Sequence, residues 1–144
     1  MSTFTNLDIQ RYADRTNLPG FRGVFMRDTL PKSGPDQHEC AVVNLNLSQQ
    51  PGSHWVCYYK DKTKRIYFDS FGQITPIGIQ KYLKTKREFD NNLSVIQRNT
   101  DIVQSIYKGN CGQLCLMVLD ALTKGLSFQH VINIMRRFKD GRHS

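Results

Sequence analysis

The chain has 144 residues, 39% of them hydrophobic and 22% charged, and 20 Lys and Arg against 12 Asp and Glu give a net charge of +8. This is an ordinary soluble composition, and the length suits a single domain over 1–144 that can bury roughly two-thirds of its unfolded surface. No apolar run approaches the ~20 residues that cross a bilayer, and Met1 to Asp8 contains no basic stretch ahead of an apolar core. Neither a membrane span nor a secretory signal is expected, and the reading is an intracellular protein.

A short capped helix is expected over 6–16, from Leu7, Ile9, Tyr12 and Ala13, with Pro19-Gly20 as its stop. Phe21 to Met26 reads as a strand, Pro31 to Gln37 as a loop, and Cys40 to Leu47 as a buried strand. The runs Trp55 to Tyr59 and Arg65 to Asp69 are aromatic and β-branched, and the polar Asp61 to Lys64 joins them as a hairpin. Pro76 opens a helix holding Ile79, Tyr82 and Leu83. Leu93 to Gln97 is a further strand, and Ile102 to Ile106 a candidate for another.

From Gly112 the period changes. Leu114, Cys115, Val118, Leu119 and Leu122 recur at helical spacing, and Leu116 and Met117 widen the apolar surface, so this helix belongs in the core. Gly125 stops it. Ser127 caps a last helix with Phe128, Val131, Ile132, Met135 and Phe138 on one face and Arg136, Arg137 and Lys139 near its end. The class is α+β: a mostly antiparallel sheet, one buried central helix, and flanking helices.

Four cysteines, Cys40, Cys57, Cys111 and Cys115, are read as free thiols in a chain without a secretory signal. No Cys-x-x-Cys occurs, and no histidine pair follows at zinc-finger spacing, so no metal site is expected. Bases cluster at Lys60 to Arg65, Lys81 to Arg87 and Lys124 to Arg142. Two readings stay open for them: a surface for polyanions, nucleic acid before membrane, or a solvated basic face.

The chemistry concentrates in four residues. Cys111 begins the buried helix, where unpaired amides and the positive dipole end favour a thiolate and can hold an oxyanion. Cys115, a turn inside, is read as a buried apolar residue. His54 starts a strand beside a turn, and hairpin pairing brings Asp69 near it, where a carboxylate would orient the imidazole. His38, His130 and His143 are read as structural. Gln104 is seven residues before Cys111 and could donate to an oxyanion, with Gln97 and Gln113 as competitors for that role.

Gly52-Ser53-His54-Trp55, Tyr67-Phe68-Asp69-Ser70-Phe71-Gly72, and Gln104 followed by Asn110-Cys111-Gly112-Gln113-Leu114-Cys115 resemble the adenovirus protease (adenain) family. The likeness is strongest to its adenain-like relatives in viruses and virus-derived transposons. More distantly, the order His, Asp, Gln, Cys is shared with the SUMO-specific proteases. The resemblance covers about residues 38–125 and implies a papain-like fold in permuted order, with the central helix starting at the nucleophile. It implies His54 as general base, Asp69 as orienting acid where adenain has glutamate, Gln104 as oxyanion donor and Cys111 as nucleophile. It also implies a cysteine endopeptidase that cleaves viral precursor and capsid proteins at Gly-containing sites, in the host nucleus or the virion. No cofactor is required for that chemistry, DNA is a candidate stimulator, and the expected state is a monomer. Two rivals remain: a deubiquitinase or SUMO-type isopeptidase with the same four residues, and a basic, non-enzymatic nucleic-acid-binding domain.

Overall fold

The computed structural model describes residues 5–46, 54–84, 95–103 and 111–139. Helix α1 (Asn6–Thr16) begins on a reciprocal cap, in which the Thr5 hydroxyl accepts the Asp8 N–H and the Asp8 carboxylate accepts the Thr5 N–H. It closes on Asn17, whose φ of 56° is left-handed. Strands β1 (Phe21–Met26), β2 (Glu39–Asn44), β3 (Trp55–Lys60), β4 (Arg65–Phe68) and β5 (Gln97–Arg98) form one sheet in sequence order. Its centre is antiparallel, with β2 on β3 and β3 on β4, as the expected hairpin requires. Both edges are parallel, β1 on β2 and β4 on β5. Hydrophobic pattern does not carry strand direction, so these edges were not legible beforehand.

Of the strand expected at Leu93 to Gln97, residues 93–94 lie outside the described residues and the rest gives a two-residue edge at Gln97–Arg98. Of Ile102 to Ile106, Ile102 and Val103 are not in a strand and 104–106 lie outside the described residues. Helix α2 (Ile77–Lys84) follows Pro76, whose carbonyl accepts the Gln80 N–H at 3.0 Å. Helix α3 (Cys111–Thr123) runs to Gly125, which has φ +96°. Helix α4 (Phe128–Lys139) is capped by Ser127, whose Oγ accepts the His130 N–H at 3.2 Å.

Every residue of β2, β3 and β4 is buried, because helices cover both faces of the sheet. On one face Val42, Trp55, Cys57, Ile66 and Phe68 pack against Ile9 of α1, Val118, Leu119 and Leu122 of α3, and Val131 and Ile132 of α4. On the other, Val43, Val56, Tyr58 and Tyr67 pack against Ile79, Tyr82 and Leu83 of α2. Helix α3 lies across β3 and touches α1 and α4, which makes it the central helix.

The two-sided burial changes the reading of the Lys60 to Arg65 cluster. Lys60 is 2% exposed and donates from Nζ to the carbonyls of Asp36 and Gln37 at 2.9 and 3.0 Å. Arg65 is 1% exposed and donates from Nε to the Leu83 carbonyl. These cations tie the sheet to its loops and to α2. They form neither a polyanion surface nor a solvated face.

Beside them Glu39 is fully buried. Its Oε1 accepts Arg22 Nη1 at 2.9 Å and the Asp36 N–H at 2.8 Å, and its Oε2 accepts the hydroxyls of Tyr58 and Tyr82, each at 2.5 Å. Burial pushes this carboxyl pKa up, but the donors outweigh it and hold it below the ordinary carboxylate value. The stability it contributes is therefore present above the ordinary carboxylate range and lost as pH falls through its depressed value. Glu39→Ala removes the carboxylate that Arg22 and two buried hydroxyls share, and should cost about 3–5 kcal/mol in urea denaturation. A loss under ~1 kcal/mol would show that the network is not what closes this end of the sheet.

Candidate functional site

The N-terminal end of β3, the C-terminal end of β4 and the first turn of α3 meet at the opposite end of the sheet. His54 immediately precedes β3, and its carbonyl accepts the Leu45 N–H at 3.1 Å. Asp69 immediately follows β4. The hairpin brings the two together, with His54 Nε2 3.0 Å from Asp69 Oδ1. The Phe71 ring lies beside the imidazole, with centroids 5.1 Å apart.

Asp69 is built for rigidity. It is fully buried, and its Oδ1 also accepts the Phe71 N–H at 2.9 Å, closing a local turn in which the Gly72 N–H donates to the Asp69 carbonyl at 2.8 Å. Oδ2 is buried without a hydrogen-bond partner among the described residues. Asn99, itself buried, holds the Asp69 backbone: its Oδ1 accepts the Asp69 N–H at 3.1 Å and its Nδ2 donates to the Asp69 carbonyl at 2.6 Å.

Cys111 is the first residue of α3, and its sulfur accepts the Trp55 N–H at 3.3 Å. It also hydrogen-bonds His54. Trp55, buried at 6% exposure, therefore packs beside the thiol and also supplies a backbone donor to it.

These contacts set the proton states. Burial pushes the Cys111 thiol up, but the His54 hydrogen bond, the Trp55 N–H, the His54 charge and the Gly112 N–H outweigh it and bring it below the ordinary thiol value. Burial lowers the His54 ring, but hydrogen bonds to Asp69 and Cys111 and their charges push it up to about 9. The arrangement shifts the pair toward thiolate and imidazolium. His54's contribution to stability is fully present below its ordinary value of 6.5 and lost as the pH rises through about 9.

Cys115, one turn along α3, is the contrast. It is fully buried, and burial holds its thiol well above the ordinary value. Burial likewise pushes Cys40 up to about 12. All four cysteines are free thiols, and no group of three or more metal-ligating side chains occurs among the described residues.

The structure thus brings together His54, Asp69 and Cys111. Gln104, with the Lys108 to Asn110 loop, lies outside the described residues. Asn99 was missed, because an asparagine in a polar stretch carries no periodic or motif signal. Its significance comes from contacts with a residue 30 positions away.

The pair predicts a bell-shaped pH dependence of turnover and a Cys111 alkylation profile that shares only its acid limb, since the thiolate outlasts deprotonation of the imidazolium. The acid limb should fall below the ordinary thiol pKa and the alkaline limb near 9, as apparent values of the coupled pair. A single inflection at the ordinary thiol value in iodoacetamide kinetics would show that no ion pair forms. Asp69→Asn should cut turnover by ~10²–10⁴-fold and pull the alkaline limb down, with the fold retained by circular dichroism.

No protein-family profile matches the chain. In sequence it is similar to the protease of snake adenovirus serotype 1, 28% identical over 131 residues that cover 83% of this chain and 65% of that protein. It is also similar to the protease of human adenovirus A serotype 12, 27% identical over 116 residues that cover 73% of this chain and 56% of that protein. The chain spans under two-thirds of the length of these curated relatives. In structure it resembles the ASFV pS273R protease, with a TM-score of 0.63 at 17% identity over 96% of this chain and 66% of that one. The selenomethionine form of that protease gives 0.60 at 18% identity. In sequence the chain is thus similar to adenovirus proteases, and it shares its fold with the ASFV pS273R protease.

Proposed function

We propose that this chain is a viral cysteine endopeptidase in which Cys111 is the nucleophile, His54 the general acid–base, Asp69 the orienting acid and Gln104 an oxyanion donor. The observation that carries the reading is the geometry around His54, whose ring sits between a buried carboxylate and a thiol at a helix N-terminus. That arrangement suits acyl transfer. The Cys111 thiolate attacks the scissile carbonyl carbon, and the electron pair of the broken π-bond moves to the oxygen. The Cys111 N–H and the Gln104 amide stabilise that oxyanion. As the tetrahedral centre collapses, the imidazolium gives its proton to the departing amine, leaving a thioester and a neutral ring. His54 then takes a proton from water as water attacks the thioester. Collapse releases the acid and restores the thiolate–imidazolium pair.

The curated relatives are adenovirus proteases, which supports protein substrates. That these are viral precursor or capsid proteins, cut at Gly-containing sites in infected cells or virions, is part of the proposal and rests on the motifs around His54, Asp69 and Cys111. The reaction needs neither metal nor organic cofactor, and the working state is a monomer. DNA stimulation is part of the proposal and rests on the net charge of +8. With Lys60 and Arg65 turned inward, any phosphate contact must come from the remaining bases. A fall in rate enhancement with rising salt would measure it.

The deciding experiment is mass-spectrometric mapping of the cysteine modified by a stoichiometric electrophile. It is joined to cleavage assays on a Gly-containing capsid peptide and on a Gly-Gly-linked ubiquitin-like conjugate. Labelling should fall on Cys111, with the capsid peptide preferred. Cys111→Ala should abolish labelling and cleavage, while Cys115→Ala should keep measurable activity, because a buried thiol held in its neutral form is a poor nucleophile. Equal loss from the two substitutions would move the nucleophile. Preference for the conjugate would turn the reading to an isopeptidase, and no labelling at all would favour the non-enzymatic nucleic-acid-binding domain.

A further inference from the structure

Asp69 lies one residue beyond β4, where the ladder of the sheet no longer fixes its backbone. The edge strand beside it also ends early, since β5 stops at Arg98, paired with Tyr67. Beyond that point a side chain takes over. The Asn99 amide exchanges two hydrogen bonds with a single residue, accepting the Asp69 N–H at 3.1 Å and donating to the Asp69 carbonyl at 2.6 Å. A facing strand residue would make the same two bonds through its own peptide groups. Because Asn99 makes them through its side chain, the main chain at 99–103 is free to turn away while Asp69 stays clamped.

Independent contacts dock the same turn onto the same segment. Asn99 Nδ2 also donates to the Asp101 carbonyl at 3.1 Å, and the Val103 N–H donates to the Ser70 carbonyl at 2.8 Å. Gly72, at φ +68°, lies so close to the segment that a Cβ there would sit 2.6 Å from the Thr100 carbonyl oxygen. Asn99 is 5% exposed, so its amide has exchanged solvent for these partners. The next residue along the chain after Val103 is Gln104.

We propose that Asn99 is a positioning residue for the acid of the site, acting as a side-chain extension of β5 that fixes the Asp69 backbone. It also joins the Asp69 turn to the segment that leads into Gln104. The inference rests on the peptidase reading for its catalytic meaning. Asn99 acts through Asp69, whose backbone it holds. Releasing the amide lets the Asp69 backbone shift, and a misplacement of about 1 Å at a reacting group can cost 10²-fold in rate.

The test compares wild type, Asn99→Ala, Asn99→Ser, Asp69→Asn and the double variant Asn99→Ala with Asp69→Asn. Two measurements are made on each: the pH profile of Cys111 alkylation by iodoacetamide, and kcat and KM on a Gly-containing peptide. The Ala variant should lose up to roughly 10²-fold in kcat with KM within about twofold. The alkaline limb of its kcat should move down from about 9 toward the ordinary imidazole value, and the acid limb of its alkylation profile up toward the ordinary thiol value. The Ser variant, whose hydroxyl keeps one bond, should fall between wild type and Ala. In the Asp69→Asn background the Ala substitution should cost little more. A lowered denaturation midpoint with an unchanged pH profile and kcat would overturn the proposal, and so would losses that simply add in the double variant. Failure of both Asn99 variants to fold, with Asp69→Asn folded, would also overturn it, by making Asn99 a residue of the fold. If the wild type cleaves no peptide but its alkylation profile responds to Asn99 as described, the peptidase reading fails and the positioning of Asp69 stands.

Discussion

A carboxylate with no access to water depends on the donors that face it, and the site at this end of the sheet is organised around that constraint. Asp69 is fully buried, and its Oδ1 is met by the His54 ring and the Phe71 N–H. An unneutralised charge in such a place costs several kcal/mol, so the neighbouring imidazole is drawn toward its protonated form. Protonated His54 in turn favours a thiolate at Cys111, as do the Trp55 and Gly112 N–H groups. The proton arrangement therefore starts with the burial of Asp69. Whatever fixes Asp69 in its buried position sets the reactivity of a sulfur on another element.

The two thiols of α3 show how local this control is. Cys111 and Cys115 lie one turn apart on the same face, and both are buried. Only the first has donors to stabilise its ionised form, because only the helix end has amides without intrahelical partners. Cys115 instead meets Cys57, whose sulfur donates to the Cys115 carbonyl at 3.7 Å. Desolvation then acts unopposed. Burial alone does not separate a nucleophile from a core residue; the difference lies in whether the charge has partners when water is gone.

This also explains which features could be read from the residues. The hairpin and the apolar helix have strong periods, so the pairing of β3 with β4 and the start of α3 were legible, and with them the meeting of His54, Asp69 and Cys111. The parallel edges were not, since strand direction leaves no mark on alternation. Lys60 and Arg65 were misread because a charged residue beside a turn ordinarily faces solvent. Here both strands are covered on both faces, and carbonyls of loop 36–37 and of Leu83 take up the cations. Asn99 was invisible for a related reason. Its role is a side chain imitating a peptide group for a partner 30 residues away, and no local pattern encodes that.

The placement of charge along the sheet ties these observations together. Glu39 pairs across the ladder with Lys60, and Lys60 with Arg65, so three buried ionisable residues line one end of β2, β3 and β4. Glu39 has both its oxygens engaged there, through Arg22, Tyr58, Tyr82 and the Asp36 N–H, while carbonyls receive Lys60 and Arg65. At the far ends of β3 and β4 the ionisable groups are His54 and Asp69. Among the described residues Asp69 keeps one oxygen without a partner, and His54 retains a proton poised to move. A saturated network resists change in protonation, which suits a clamp. The other end, where protons can still be exchanged, suits chemistry, and the same two strands hold the two ends apart.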